Sequence, residues 1–187
     1  GLGIAVDAAS RGYAVVLAER ADFGSGTSSR STKLVHGGVR YLRQGNVPLV
    51  REALRERGML RHNAPHLVSD LRFIVPAREW WEPAYYGLGL RVYDWMSGRY
   101  GFGPSRSLSF RDTTDALPTL RRAGLRGGIQ YFDGQFDDAR LLASLARTAA
   151  ALGATLVNYF PVTGLARRAD GVLAGARAVD LETGEEL

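Results

Sequence analysis

Apolar and polar positions change period along the chain and mark out its elements. In residues 1–12, Ile4, Ala5, Ala8 and Ala9 form a small-residue apolar face and Gly12 sits where a helix-ending glycine belongs, which predicts a helix. Residues 13–18, Tyr-Ala-Val-Val-Leu-Ala, are a continuous apolar run, the pattern of a parallel strand buried on both faces, closed by Glu19. Residues 22–40, rich in Gly, Ser and Thr, read as a long ordered loop or a loop with a helix start. From Pro48 to about Asn63 a helix is predicted, with Val50, Leu54 and Met59 inward and Glu52, Arg55 and Glu56 in water. Leu71–Val75 reads as a strand closed by Pro76, 80–95 as one or two short aromatic helices, and 98–128 as loop-rich, with Pro104 and Pro118. Asp137 fits as the cap of a helix through Leu152, with Leu141, Leu145, Ala149 and Leu152 on one face and Gly153 after it. Strands follow over 155–162 and 172–181, the second leading into a turn at 182–185.

Composition narrows the classes. With 187 residues and 45% hydrophobic content the chain can bury a core, and with no Cys it carries no iron–sulfur cluster, thiolate zinc site or cysteinyl cofactor link. No apolar run approaches the roughly 20 residues of a spanning helix. The chain opens on Gly rather than Met, and we read it as part of a longer protein whose first strand lies upstream. The net charge of +5 is carried by 23 Arg and one Lys, Lys33, and these interleave with acidic residues instead of forming a basic run. Nucleic-acid binding is therefore disfavoured. His62 and His66 have a ligand-like spacing, but Pro65 breaks the helix that would align them, and no metal is expected.

The opening carries half of a dinucleotide motif. Gly1-Leu2-Gly3 leads a small-residue helix, a strand follows, and Glu19 stands at the distance of a ribose-holding carboxylate if Gly1 is the third glycine of G-x-G-x-x-G. An ordinary turn and an ordinary strand-end carboxylate would look the same. Downstream, Thr27-Ser28-Ser29 offers hydroxyls and amides suited to phosphate oxygens, and Gly37-Gly38 allows backbone to approach a flat ring. Lys33, the one ammonium in an arginine-rich chain, points to a specific task.

Four segments, GLGIAVDAASRGYAVVLAE, GTSSRSTKLVHGGVRYL, APHLV and YFDGQFDDARL, resemble the FAD-dependent, quinone-linked glycerol-3-phosphate dehydrogenases of the GlpD type. The second and fourth are specific to that family; the glycine turn marks only its glucose-oxidase/D-amino-acid-oxidase-like superfamily. The resemblance implies an α/β, FAD-binding Rossmann-like domain, incomplete here, with part of an antiparallel-sheet substrate domain. It divides the chain into 1–66 (FAD-binding part), 67–133 (substrate or cap part) and 134–187 (return to the FAD-binding part). It places Gly1 and Gly3 at the FAD pyrophosphate, Glu19 at the adenosine ribose, and Thr27, Ser28 and Ser29 along the pyrophosphate and ribityl chain. Lys33, Leu34, His36, Gly37 and Gly38 would then lie along the isoalloxazine, with Arg40 and Tyr41 on the substrate side. An arginine there suits a phosphate monoester, which it grips with two parallel N–H bonds. His36 and Tyr41 stand as alternatives for the base. Many relatives carry Cys where this chain has Gly134.

The implied activity is oxidation of sn-glycerol 3-phosphate to dihydroxyacetone phosphate, with electrons passed to a membrane quinone by an enzyme resting on the cytoplasmic inner face of the cell membrane. A homodimer is left open, and the isolated chain is expected to be inactive. The alternatives are a glycerol-3-phosphate oxidase, another FAD-dependent amine or 2-hydroxyacid oxidase, or a non-enzymatic membrane- or anion-binding module. Asp137 and Asp138 read as a helix cap and Arg140 as an ion-pair partner. The aromatic cluster of Trp80, Trp81, Tyr85, Tyr86, Tyr93 and Trp95 reads as the core of a cap domain in preference to a lipid-facing surface.

Overall fold

The computed structural model describes residues 1–38, 41 and 44–187, which fall into two units, 1–32 with 138–187, and 33–137. In chain order the elements are α1 (Leu2–Ser10), β1 (Val16–Ala18), β2 (Leu34–Val35), α2 (Val47–Asn63), β3 (Val68–Ala77), α3 (Glu82–Ser97), β4 (Arg106–Leu108), α4 (Phe110–Ala116), β5 (Gly127–Phe136), α5 (Asp138–Ala151), β6 (Thr155–Val157), β7 (Val162–Arg167) and β8 (Leu173–Ala178). Single 3-10 turns cover Thr27–Ser29 and Gly98–Tyr100.

In the first unit, α1 and α5 meet through small residues. Ala5 and Ala9 are buried with Ala149 and Ala154, and Val6, Val15, Leu17 and Leu156 close the cluster. Methyl groups on both sides let two helix backbones come close, which is why the α1 face is alanine-rich. Ile4, expected on that face, points to solvent. Gly12 takes φ +84 directly after the helix, as a C′ glycine does. The parallel reading of β1 holds, since it pairs in register with β6 from Val16↔Thr155 to Ala18↔Val157. Burial on both faces does not hold. Leu17 turns into the alanine cluster while Val16 and Ala18 are exposed, so the strand alternates. The hairpin of β7 and β8 follows.

The second unit is an antiparallel sheet built on β5. β3 runs beside it for ten residue pairs, Val68↔Phe136 to Ala77↔Gly127. On the other side of β5, β2 pairs at one end (Leu34↔Gln135) and β4 at the other (Arg106↔Gln130). Pro76 does not close β3 but lies within it; among the described strands β3 pairs only with β5, and an edge strand tolerates a missing N–H. Ile129, Tyr131 and Asp133 share one face by alternation. Against it pack Leu90 and Tyr86 of α3, and Val50 and Leu54 of α2 close a second cluster with Tyr93. Each fully buried aliphatic side chain there contributes about 1.5–3 kcal/mol. α2, and with it residues 33–66, belongs to this sheet unit.

Other expectations for this unit need correction. Met59 is exposed, and the inward place one turn beyond Leu54 is taken by Arg57, only 1% exposed. The loop-rich stretch 98–128 also holds two short elements not read from the sequence, β4 and α4, and the start of α4 carries a reciprocal capping box between Ser109 and Asp112. The aromatic segment is one helix. Only Tyr86 and Tyr93 pack inward; Trp80, Trp81, Tyr85 and Trp95 are exposed, Trp95 at 82%. The helical period explains the split, since Tyr86, Leu90 and Tyr93 fall on one face and Trp81, Tyr85, Leu88, Val92 and Trp95 on the opposite one.

Candidate functional site: a cofactor-binding half-site and a strap on the sheet

Gly1 is the N-cap of α1, and neither a side-chain cap nor an acidic residue satisfies the amides of the first turn. Such a helix start favours an anion. A Cβ on Gly1 would stand 3.5 Å from Leu17, and Gly3 has open space around it. Glu19 follows β1 directly. Its N–H donates to Val157 O (2.8 Å) and its carbonyl accepts from Phe160 N (2.8 Å), so the end of β6 and the segment after it fix it from both sides. Its carboxylate accepts the Ala21 N–H at 3.1 Å. An uncapped helix start and an anchored carboxylate at a parallel strand's end, in one unit, fit the pyrophosphate and ribose of a dinucleotide.

In the same unit, Thr27, Ser28 and Ser29 form the 3-10 turn, where Ser29 Oγ donates to Gly24 O (2.6 Å). Ser31 is held from α5: its N–H and Oγ–H both donate to Asp138 Oδ2, at 3.1 and 2.7 Å. Asp138 is thus more than a helix-dipole partner. It is buried and anchors the hydroxyl-rich segment.

Lys33 opens the sheet unit with φ +59, a left-handed conformation that costs a lysine strain, and its carbonyl accepts from Phe136 N at 3.0 Å. Leu34 lies half-buried in β2 opposite Gln135. His36 is exposed. Gly37 is buried, and a Cβ there would collide with the Tyr93 hydroxyl and the Leu54 side chain, so its lack of a side chain admits the protein's own groups. Gly38 takes φ +68, where a Cβ would meet the Tyr41 ring at 2.8 Å. Tyr41 packs onto the Val50–Leu54–Tyr93 cluster. Arg40 lies outside the described residues. Gly134 faces β2 so closely that a Cβ would stand 2.9 Å from Val35 O.

Beneath this segment lies a buried polar network that sequence reasoning missed. Arg57 Nη1 donates to Asp133 Oδ1 at 2.6 Å and to the Tyr93 hydroxyl at 3.2 Å. The Tyr93 hydroxyl in turn donates to Asp133 Oδ2 at 3.5 Å, and the amides of Gly37 and Gly134 both reach Asp133 Oδ1 at 3.3 Å. Arg57 also stacks over Phe102, its guanidinium carbon 4.4 Å from the ring centroid. Burial pushes the Tyr93 hydroxyl pKa well up, against the opposing pull of Arg57. The signal was present: Val50, Leu54 and Arg57 follow the i, i+4, i+7 pattern, and a cation on an inward stripe calls for a buried anion.

The two specific blocks of the sequence, about a hundred residues apart, are therefore neighbours. Ser31 is held by Asp138, Lys33 by Phe136, Leu34 and Val35 by Gln135 and Gly134, and Gly37 by Asp133.

The chain combines a parallel strand pair, packed with a small-residue helix, and an antiparallel sheet, the mixed α/β arrangement of a nucleotide-binding oxidoreductase fold shown by its family. The chain belongs to the FAD dependent oxidoreductase family, whose family model matches residues 1–186; FAD is the cofactor of that family. It is 42% identical over its whole length to a mitochondrial glycerol-3-phosphate dehydrogenase of Schizosaccharomyces pombe and 44% identical to one of Arabidopsis thaliana. It spans 30% and 32% of those relatives. Among solved structures, it matches the glycerol-3-phosphate dehydrogenase from Bacillus halodurans complexed with FAD, with a TM-score of 0.71 and 32% identity, over 100% of this chain and 29% of that one. The mixed FAD-binding, Rossmann-like fold expected from the sequence is the one observed.

Proposed function

We propose that the protein oxidises sn-glycerol 3-phosphate to dihydroxyacetone phosphate, the C2 hydrogen leaving as hydride to FAD and the hydroxyl proton to a protein base. The observation that carries this reading is the 42% and 44% identity to glycerol-3-phosphate dehydrogenases over 100% of this chain. FAD, when bound, supplies the two-electron acceptor. The α1 amides with Gly1 and Gly3 would hold its pyrophosphate, Glu19 its adenosine ribose, and Thr27, Ser28 and Ser29 the pyrophosphate and ribityl oxygens. Lys33, Leu34, His36, Gly37 and Gly38 would line the isoalloxazine. Arg40 would grip the substrate phosphate with its guanidinium fork, beside Tyr41. Of the two base alternatives we favour His36, because it is exposed while the Tyr41 ring packs onto an apolar cluster.

The acceptor we propose is a membrane quinone, reached by an enzyme seated on the cytoplasmic inner face of the membrane. Exposed Trp81, Tyr85, Leu88, Val92 and Trp95 on one face of α3 support a lipid-interface contact, where Trp and Tyr are favoured.

The test is an anaerobic visible spectrum of the full-length protein in detergent, before and after glycerol 3-phosphate. Flavin absorbance that bleaches with this substrate, and not with glycerol or an amino acid, is expected. Flavin that stays oxidised would remove the substrate assignment. A protein that is colourless even after FAD is added back would remove the cofactor reading as well.

A further inference from the structure

We infer that Asp133 is a positioning residue for the His36–Gly38 segment, oriented by Arg57 and Tyr93, and that it acts on flavin binding through the backbone of Gly37. The inference rests on the FAD reading above. Among the described residues the β2–β5 ladder ends at Val35↔Gly134, before Gly37. The Gly37 amide is nevertheless buried, and a buried N–H needs an acceptor. Asp133 Oδ1 provides it at 3.3 Å, a side-chain oxygen standing in for a strand carbonyl. From the other side, Leu54 and the Tyr93 hydroxyl occupy the space a Cβ on Gly37 would need, so the strap is gripped on two sides. Its neighbour His36 is left exposed.

The choice of ions supports the same conclusion. A buried ion pair is seldom more stabilising than apolar residues of equal volume, because desolvation cancels the attraction. What an apolar pair cannot do is accept the Gly37 N–H while being held at a fixed angle. Arg57 at 2.6 Å and Tyr93 at 3.5 Å set that angle, and both side chains of the ion pair are at least 96% buried.

The experiment compares full-length wild type with Arg57→Met/Asp133→Leu, Asp133→Asn and Tyr93→Phe. Hydrogen exchange at Gly37–Gly38 and the FAD dissociation constant, measured by flavin fluorescence on the apoprotein, are the readouts. The apolar double variant is expected to keep the β3–β5 amides protected while Gly37 exchange rises and FAD affinity falls about tenfold, as when a support behind a binding group is removed. Asp133→Asn, which keeps an acceptor oxygen, is expected to retain more of that affinity than the double variant. If the double variant fails to fold, Asp133→Asn decides: faster exchange confined to Gly37–Gly38 supports the anchor, and unchanged or uniformly faster exchange overturns it. A folded double variant with wild-type FAD affinity and Gly37 protection also overturns it. Wild type that takes up no FAD would sink the flavin reading instead, since Gly37 exchange tests the anchor independently.

Discussion

At Gly58 two opposite effects meet. Alanine in a helix interior gains up to about 1 kcal/mol over glycine. Here a Cβ would run into the side chain of Tyr100, and overpacking costs about 1–3 kcal/mol. Gly58→Ala is expected to lower the urea midpoint, reversing the usual sign. The buried and exposed ion pairs should differ as sharply. Asp133→Ala leaves Arg57 charged and unpaired inside and is expected to cost about 3–5 kcal/mol by urea unfolding. Asp7→Ala breaks the exposed Arg11 pair on α1 and should cost under about 1 kcal/mol. Tyr93 adds a pH dependence. Burial raises its pKa above the ordinary 10.0, so its contribution is complete below pH 10 and is lost as pH climbs toward the folded value. Thermal midpoints measured above pH 10 should therefore fall more steeply in wild type than in Tyr93→Phe.

Among the elements, α3 offers the clearest separation of stability from surface function. Its inward face carries Tyr86, Leu90 and Tyr93, and its outward face carries the exposed aromatics. Trp81→Ser/Trp95→Ser is expected to change the unfolding free energy, from urea melts, by no more than about 0.5 kcal/mol per site, as surface changes do, while lowering sedimentation with anionic vesicles. Vesicle binding equal to wild type would remove the α3 contact. The elements also show where sequence reading reaches its limit. α1 and α5 were legible because each carries a helical stripe with a cap or glycine at its end, and α2 because Val50 and Leu54 stand a turn apart among charged residues; its cap, Asn46, whose Oδ1 accepts Leu49 N–H at 3.3 Å, was not read. The inward and outward aromatics of α3 were not separable without knowing which stripe meets the sheet. β4 and α4 were too short for a period to show. Of the site, the residue types of both blocks were visible, but their pairing was not, because antiparallel register across a hundred residues leaves no local trace.

On the scale of the whole molecule, the first unit is split. The chain leaves it after Thr32, builds the entire sheet unit, and returns at Asp138. The Phe136 N–H to Lys33 O bond shows that the entry and exit of the sheet unit lie side by side. This arrangement sets an order in time. The β1–β6 pair joins Val16 to Thr155, a contact whose loop-closure cost is high while the intervening chain is unfolded and falls once the inserted unit has brought its own ends together. During synthesis or refolding, amides of β3 and β5 should gain protection first, and those of β1 should wait for them; the corner between the start of α1 and Glu19 would then be the last part of this chain to come into being.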